Sequence, residues 1–204
     1  MFETTKARDQ VAQLAPLRPA EALRAARMIA DPWFAVQALA WVARFAPKDI
    51  GDEALSEARD TAKAGRDAYQ RSAVLAWPIR AAIETKRLDV ARQMLTSGLT
   101  LLPKVRPAGS RAEAGGLLLE AAFPGGHSLW KPVLTAIEQH CLPGDDWRSG
   151  RLYRSLAHIV SCEDLAAARR LVEALPQGKT RTRTEKELLE GVTAKPRTFF
   201  AGGI

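Results

Sequence analysis

The chain is poor in the features that mark disulfide-rich, exported, membrane-spanning or strand-rich proteins. Its two cysteines, Cys141 and Cys162, are too few for a disulfide framework and are expected to be reduced thiols. No run approaches the roughly 20 apolar residues of a membrane span, and residues 1–9 are charged, without the apolar stretch of a signal peptide. Aromatic residues make up only 6% of the chain, and strand-like alternation is missing. We therefore expect a cytoplasmic, all-helical protein that has no membrane contact.

Positive charge is present but is unevenly distributed. The net charge is +7; residues 151–204 carry ten basic and six acidic side chains, whereas residues 103–150 carry five of each. A mildly basic C-terminal end gives non-specific attraction to polyanions at most. The charge alone therefore does not predict nucleic-acid binding, which stays an alternative function.

The most informative positive feature is a repeated tripeptide. Leu39-Ala40-Trp41 recurs 36 residues later as Leu75-Ala76-Trp77, each time in an Ala-rich apolar segment. Self-similarity at this spacing is typical of helical repeat arrays, and Ala and Leu favour helices. Three arginines that precede apolar turns, Arg71, Arg111 and Arg148, recur at similar intervals. The spacings predict a helical hairpin of about 36–40 residues, present about four and a half times.

Capping residues and prolines predict where the helices begin and end. Asp31 is a suitable N-cap before Pro32, residues 110–113 have the capping-box pattern, and residues 145–146 precede Trp147 in the same way. Pro78 lacks a backbone donor, so the helix that contains it is expected to kink or split. The predicted helices are 4–14, 19–30, 32–46, 52–64, 67–86, 89–102, 111–122, 129–141, 146–161, 164–174 and 182–192.

With these hairpins, the chain resembles the tetratricopeptide-like and HEAT-like α-α superhelical repeat proteins over residues 19–192. The resemblance implies one helical-repeat domain over residues 1–192, built as a right-handed α-α superhelix of about four to five antiparallel hairpins. An extended C-terminal tail, residues 193–204, follows it. Members of such families mostly bind proteins or peptides. The resemblance therefore implies a non-catalytic scaffold that holds a protein or peptide segment on its concave face, without a cofactor.

Polar and aromatic positions on the second helix of each hairpin are candidates for this contact. Arginine suits carboxylate recognition because its planar fork matches the two oxygens. Alternatively, these arginines form a solvated helix face with local acidic partners. Trp33 and Trp147 lie just inside predicted helix starts, where they could be either rim anchors for a partner or hydrophobic staples. The candidate partner-binding residues are Gln37, Arg44, Arg80, Arg111, Arg151, Arg154, Trp33 and Trp147.

The repeated tryptophans, Trp41 and Trp77, have two interpretations. We expect both to be largely buried between successive repeats. The alternative is an aromatic ladder in a groove, suited to stacking on a base or on a peptide ring. A basic helical chain with Asp145 and Asp146 beside Trp147 is also similar to the HEAT-like alkylpurine DNA glycosylases, which implies a catalytic Asp. N-capping is the simpler role for this pair.

Two histidines and two cysteines form a set that zinc accepts in principle. His140 and Cys141 end one predicted helix, whereas His158 lies about ten residues along the antiparallel partner, on the order of 15 Å away. The four side chains therefore cannot converge, and no metal site is predicted. No phosphate-binding loop, nucleophile elbow or paired His-Glu motif occurs, so no catalytic residue is predicted either.

The tail contains an unusual pair of aromatic residues, Phe199 and Phe200, after the basic stretch 195–197. Pro196 and the glycines near the end oppose a continuing helix. One interpretation is that the two rings fold back and cover the apolar end of the last hairpin, because terminal repeats need a cap. The other is a basic-aromatic motif that docks into a partner or into the groove of a second copy.

Overall fold

The structure, a computed structural model, describes residues 2–141 and 147–200. Helices joined by short connections account for most of these residues, and no strand occurs in the two ranges, which confirms the all-α prediction. None of the helices found there is both long enough and apolar enough to cross a membrane. The helices are α1 (Phe2–Leu14), α2 (Pro19–Arg27), α3 (Pro32–Phe45), α4 (Lys48–Ala62), α5 (Ala68–Ala73), α6 (Ala76–Glu84), α7 (Leu88–Leu101), α8 (Ala108–Ala122), α9 (His127–His140), α10 (Trp147–Val160), α11 (Leu165–Glu173) and α12 (Lys179–Leu189).

Local sequence explains where several of these helices begin and divide. The Asp31 side chain accepts a hydrogen bond from the backbone N–H of Trp33 at 2.9 Å, and Pro32 is the first residue of α3, as predicted. The helix predicted over 67–86 is split, but between α5 and α6 and not at Pro78. Pro78 lies in the first turn of α6, where the missing N–H costs no intrahelical hydrogen bond.

The capping box predicted at Ser110 is wrong. Helix α8 begins at Ala108, three residues before its predicted start, and Pro107 occupies the position before it in an extended conformation. Ser110 therefore lies inside the first turn, and the helix start has no side-chain cap. The cap predicted at residues 145–146 lies outside the described residues.

The helices pack in two rows. Row A consists of α1, α3, α6, α8, α10 and α12, and each of these helices packs on the next. In row B, consecutive members from α2 through α4, α5 and α7 to α9 also pack on each other. The row continues to α11 through an ion pair between Arg170 and Glu138, 3.0 Å long. Helices α8 and α9 are antiparallel, since Arg111 at the start of α8 donates to the carbonyl of His140 at the end of α9.

The core lies between the rows and depends on small residues. All residues of α8 from 114 to 122 are buried, and so are residues 35–43 of α3. A Cβ added at Gly115 would lie 2.9 Å from Ile137 of α9, and one at Gly116 would lie 2.7 Å from Leu152 of α10. The glycine pair thus allows α8 to approach both neighbours closely.

The two repeated tryptophans differ in burial. Trp41 is buried, with 5% of its surface exposed, as predicted. Trp77 is less fully buried than Trp41, although it also packs against the core. Its ring lies at the surface of row A, where it meets Trp33 edge-to-face at 5.6 Å and Phe199 of the tail at 5.5 Å. A tail residue, and not a neighbouring helix alone, therefore covers Trp77.

Candidate functional site

The C-terminal tail runs back over row A in an extended conformation. The described part of the tail, residues 193–200, has no helix or strand. Its contacts come successively from His158 on α10, Glu120 on α8, Trp77 on α6 and Trp41 on α3. The tail therefore crosses four row A helices in the order opposite to that of the chain.

The first contact of the tail is with a buried histidine. The carbonyl of His158 accepts a hydrogen bond from the backbone N–H of Ala194 at 3.0 Å. Its ring nitrogens lie 3.1 Å from the carbonyl oxygen of Val192 and 3.0 Å from a carboxylate oxygen of Glu187. Both ring partners are acceptors, one a main-chain carbonyl and the other a carboxylate. The tail root, residues 192–194, is thus held by the backbone and the side chain of His158.

The carboxylate of Glu187 connects this root to α10 and α12. It accepts two hydrogen bonds from Arg154, at 2.8 and 2.6 Å, and one from Arg183 at 2.8 Å. Hydrogen bonds from Arg154, together with those from Arg183 and His158, lower the pKa of Glu187 to about 2. Glu187 is therefore ionised at neutral pH and fixes the histidine that holds the tail.

The middle of the tail is held by a buried carboxylate. The side chain of Glu120 is only 5% exposed and belongs to an otherwise apolar stretch of α8. It accepts from the backbone N–H of Arg197 at 2.8 Å and from the Nε and Nη2 atoms of the same residue at 2.9 and 3.1 Å. One tail residue thus supplies both a main-chain donor and a guanidinium fork to this carboxylate.

The aromatic end of the tail is buried on α3 and α6. Phe199 packs edge-to-face on Trp77, with ring centroids 5.5 Å apart, and Phe200 packs in the same manner on Trp41 at 5.0 Å. The guanidinium carbon of Arg44 lies 4.9 Å from the centroid of the Phe200 ring. The two rings do not lie on the last hairpin, which was the site in the capping interpretation. They reach helices near the other end of row A.

A cleft of 450 Å³ adjoins the aromatic end of the tail. Its walls combine polar side chains of α1 and α3 with aromatic rings of α3, α6 and the tail. The residues that line it include Arg8, Asp9, Gln37, Trp41, Trp77 and Phe199. Row A therefore has open space beside the position where the tail is bound.

Two of the candidate residues from the sequence, Arg44 and Gln37, lie at this end of the tail. Arg44 covers the Phe200 ring and also pairs with Glu84 of α6 at 2.6 Å. Gln37 is buried, and its side-chain oxygen accepts from Arg8 of α1 at 3.0 Å. Arg44 thus contacts the tail directly, whereas Gln37 is buried beside the surface that the tail contacts.

Trp33 and Arg80 lie next to that surface. Trp33 stacks on Tyr69 at 6.0 Å and supports the ring of Trp77. Arg80 pairs with Glu84 at 2.7 Å, within its own helix. Arg80 therefore has a local acidic partner, as the alternative interpretation of the arginines predicts.

The other candidate residues do not converge on the same place. Arg111 donates to two carbonyl oxygens, those of Val105 and His140, and so links α8 to the end of α9. Arg154 holds Glu187 near the tail root. Arg151 lines a separate cleft between the starts of α8 and α10. The side chain of Trp147 lies outside the described residues, and so do Asp145 and Asp146.

The residues weighed as zinc ligands have other contacts. Cys141 is buried beside α8, and burial raises its pKa to about 12. His158 binds Glu187 and the tail, and Cys162 lies exposed beside the tail residue Ala194. Within residues 2–141 and 147–200, no group of three or more His, Cys, Asp or Glu side chains could hold a metal ion.

Sequence reasoning missed Glu120 and the role of His158. A signal for Glu120 was present, since it is the one charged residue between Gly115 and Phe123. Lone charges in apolar helical runs need a buried partner. No comparable signal identified Arg197 as that partner, because the two residues are 77 positions apart.

Comparison of the chain with protein-family models, curated proteins and solved structures finds no match. Row A holds the extended tail through a small set of groups. It offers a buried carboxylate for a main-chain N–H and a cation, two indole rings for aromatic side chains, and a carbonyl that accepts from the main chain. The tail residues 194–200 use all of these groups.

Proposed function

We propose that the protein is a non-catalytic, cytoplasmic helical-repeat scaffold that binds an extended segment of a partner protein across row A. The observation that carries the proposal is the path of the tail. A segment of seven residues makes main-chain, ionic and aromatic contacts with four helices in succession. The tail is then an intramolecular occupant of the partner site.

In this proposal, rows A and B are the two layers of a right-handed α-α superhelix of four to five hairpins. Row A is its concave face. The chain passes from one row to the other at each successive helix except between α4 and α5, which both lie in row B, and this alternation supports the arrangement. So does the position of the repeated tripeptides, which put Trp41 and Trp77 on adjacent row A helices, 36 residues apart.

The ion pairs of row A support a protein partner over nucleic acid. Arg44 and Arg80 share Glu84, and Arg154 binds Glu187 through two nitrogens. A phosphate backbone is bound by cations that are free to replace its counterions. Each of these three arginines is already held by a carboxylate, so none of them is a free cation of a basic track.

Binding of the tail sequence in trans tests the proposal. A fluorescent peptide with the sequence of residues 192–200 is titrated into the full-length protein and into a tail-released chain. The tail-released chain is the full-length protein with Arg197→Ala, Phe199→Ala and Phe200→Ala. A short tether gives the native tail an effective concentration of the order of millimolar, so the wild-type site is blocked. We expect the tail-released chain to bind the peptide at least about tenfold more tightly than the wild-type chain does.

Row A and a remote position are then compared. Trp77→Ala in the tail-released chain should weaken binding, because it removes the ring on which Phe199 packs. Met28→Ala, at a residue that is 83% exposed after α2, serves as the control and should bind normally. A tail-released chain that keeps its helical circular dichroism but binds no peptide would contradict the proposed function.

A further inference from the structure

We propose that the partner segment carries an arginine followed, after one intervening residue, by two aromatic residues, and that Glu120 selects the arginine. This inference rests on the proposed function and names the chemistry of the ligand. The partner would occupy the contacts that Arg197, Phe199 and Phe200 now occupy, and would displace the tail. Glu120 is then a specificity-determining residue of row A.

Glu120 needs a cation from outside the helical rows. Its carboxylate is buried among apolar residues of α8, and within the described part of the chain every hydrogen bond that it accepts comes from Arg197. Isolated carboxylates are strongly disfavoured in such an environment. Among the described residues, the helices thus offer this carboxylate no hydrogen-bond donor, and the arginine that covers it neutralises its charge.

Arginine fits this position better than lysine does. The two guanidinium nitrogens that bind Glu120 contact different carboxylate oxygens, a planar fork that an ammonium group cannot reproduce. The side chain of Arg197 is also 46% exposed, so the pair is reached from the surface. An acidic residue at the same place would face Glu120 with like charge.

The spacing of the motif follows from the backbone of the tail. In a straight extended segment, adjacent side chains point to opposite faces. The chain bends at Phe199 and Phe200, so both rings are buried on row A. Thr198, between the arginine and the first ring, is exposed and does not restrict the residue type. The pattern recognised is therefore arginine, any residue, aromatic, aromatic.

The second aromatic position discriminates against aliphatic residues. Phe200 lies edge-to-face against Trp41 and below the guanidinium of Arg44, 4.9 Å from its carbon. An aromatic ring gains from both contacts because of its quadrupole, and an aliphatic side chain of similar size does not. Phe199 is likewise paired with the Trp77 ring.

A panel of peptides and two carboxylate variants test this specificity. The parent peptide has the sequence of residues 192–200, and single substitutions place Ala, Lys or Glu at the arginine, or Leu at the second aromatic residue. All are titrated into the tail-released chain. We expect Ala and Glu at the arginine to weaken binding by about tenfold or more, and Lys or Leu at their positions to weaken it by a few-fold.

Glu120→Gln in the tail-released chain should reduce affinity for the parent peptide and abolish its advantage over the Ala peptide. Glu138→Gln is the matched control, since Glu138 pairs with Arg170 in row B and lies away from the tail. The peptide substitutions leave the protein unchanged, so they remain informative if Glu120→Gln fails to fold.

The outcomes separate this inference from the proposed function. If the parent and Ala peptides bind equally well, the specificity assigned to Glu120 is wrong, while peptide binding by row A stands. If no peptide binds, the proposed function fails and this inference with it. A full-length chain that forms a dimer only when its tail is intact would identify a second copy as the occupant and would also overturn the inference.

Discussion

Rows A and B present different surfaces although they are built from the same helix pairs. On row B, charges are paired between neighbouring helices: Arg27 of α2 binds Glu53 and Glu57 of α4, and Arg170 of α11 binds Glu138 of α9. On row A, Glu120 finds its cation 77 residues away, in the tail. Row A pairs other charges between its own helices, as Arg44 with Glu84 and Arg154 with Glu187, but its buried Glu120 takes its cation from the tail.

The difference shows which groups of row A are paired by the tail and not by the helices. Surface ion pairs such as those of row B contribute little individually to stability and imply no ligand. The buried carboxylate of Glu120 would have a cost without its cation, and the indole rings of Trp41 and Trp77 each pack on a ring of the tail. The four predictions below test whether row A and row B respond differently.

The largest effect is expected from removing one large ring in each row. Trp41→Ala in row A and Trp130→Ala in row B should each lower the free energy of unfolding by about 3–5 kcal/mol, since both indoles are buried. Urea denaturation measures this loss. Only Trp41→Ala should also speed trypsin cleavage after Arg197, because Trp41 supports the tail. Equal cleavage rates in the two folded variants would remove the distinction between the rows.

Removing one tail ring should cost less. Phe199→Ala should lower the free energy of unfolding by about 1–3 kcal/mol, below the cost in a closed core, because the tail can detach while the helices stay folded. Hydrogen exchange at the Arg197 amide should speed up as well. Leu189→Ala, at a residue of α12 that is 77% exposed, is the control and should change stability by about 0.5 kcal/mol or less.

Replacing one carboxylate in each row should have a smaller effect on stability, and the cost should differ between the rows. Glu120→Gln should lower the free energy of unfolding by about 1–2 kcal/mol, because it weakens charge-assisted hydrogen bonds to Arg197. Glu138→Gln should cost about 0–1 kcal/mol, as exposed pairs do. A double-mutant cycle with Arg197→Gln isolates the coupling. Coupling no larger than that between Glu138 and Arg170 would contradict the role assigned to Glu120.

The smallest effect is a pH dependence at the tail root. The pKa of Glu187 is lowered from 4.5 to about 2, so its stabilisation is complete above pH 4.5 and is lost as pH falls toward 2. Wild type should therefore be more stable than Glu187→Gln at pH 6, and the difference should shrink between pH 4.5 and 2. Urea midpoints at several pH values measure it. A difference that is constant over this range would show that the carboxylate charge is not responsible.

The sequence predicted local structure better than the path of the tail. Helix α3 was located from Asp31 and Pro32, whose effects act within one turn. The split after α5 was anticipated from Pro78 but misplaced by about a turn, because a proline is tolerated in the first turn of the helix that follows. The aromatic pair of the tail was recognised as unusual. Its position on α3 and α6 depends on contacts between distant residues, which no spacing in the sequence encodes.

The separation between Glu120 and Arg197 also sets an order of folding. Contacts within each row join segments close in sequence, so the loops that they close are short, and the entropy lost on closing them is small. The tail closes far longer loops, from Arg197 back to α8 and from Phe200 back to α3. During synthesis, α3, α6 and α8 leave the ribosome before the tail exists. The surface that the tail covers is therefore uncovered for an interval during synthesis, and the tail closes over it last.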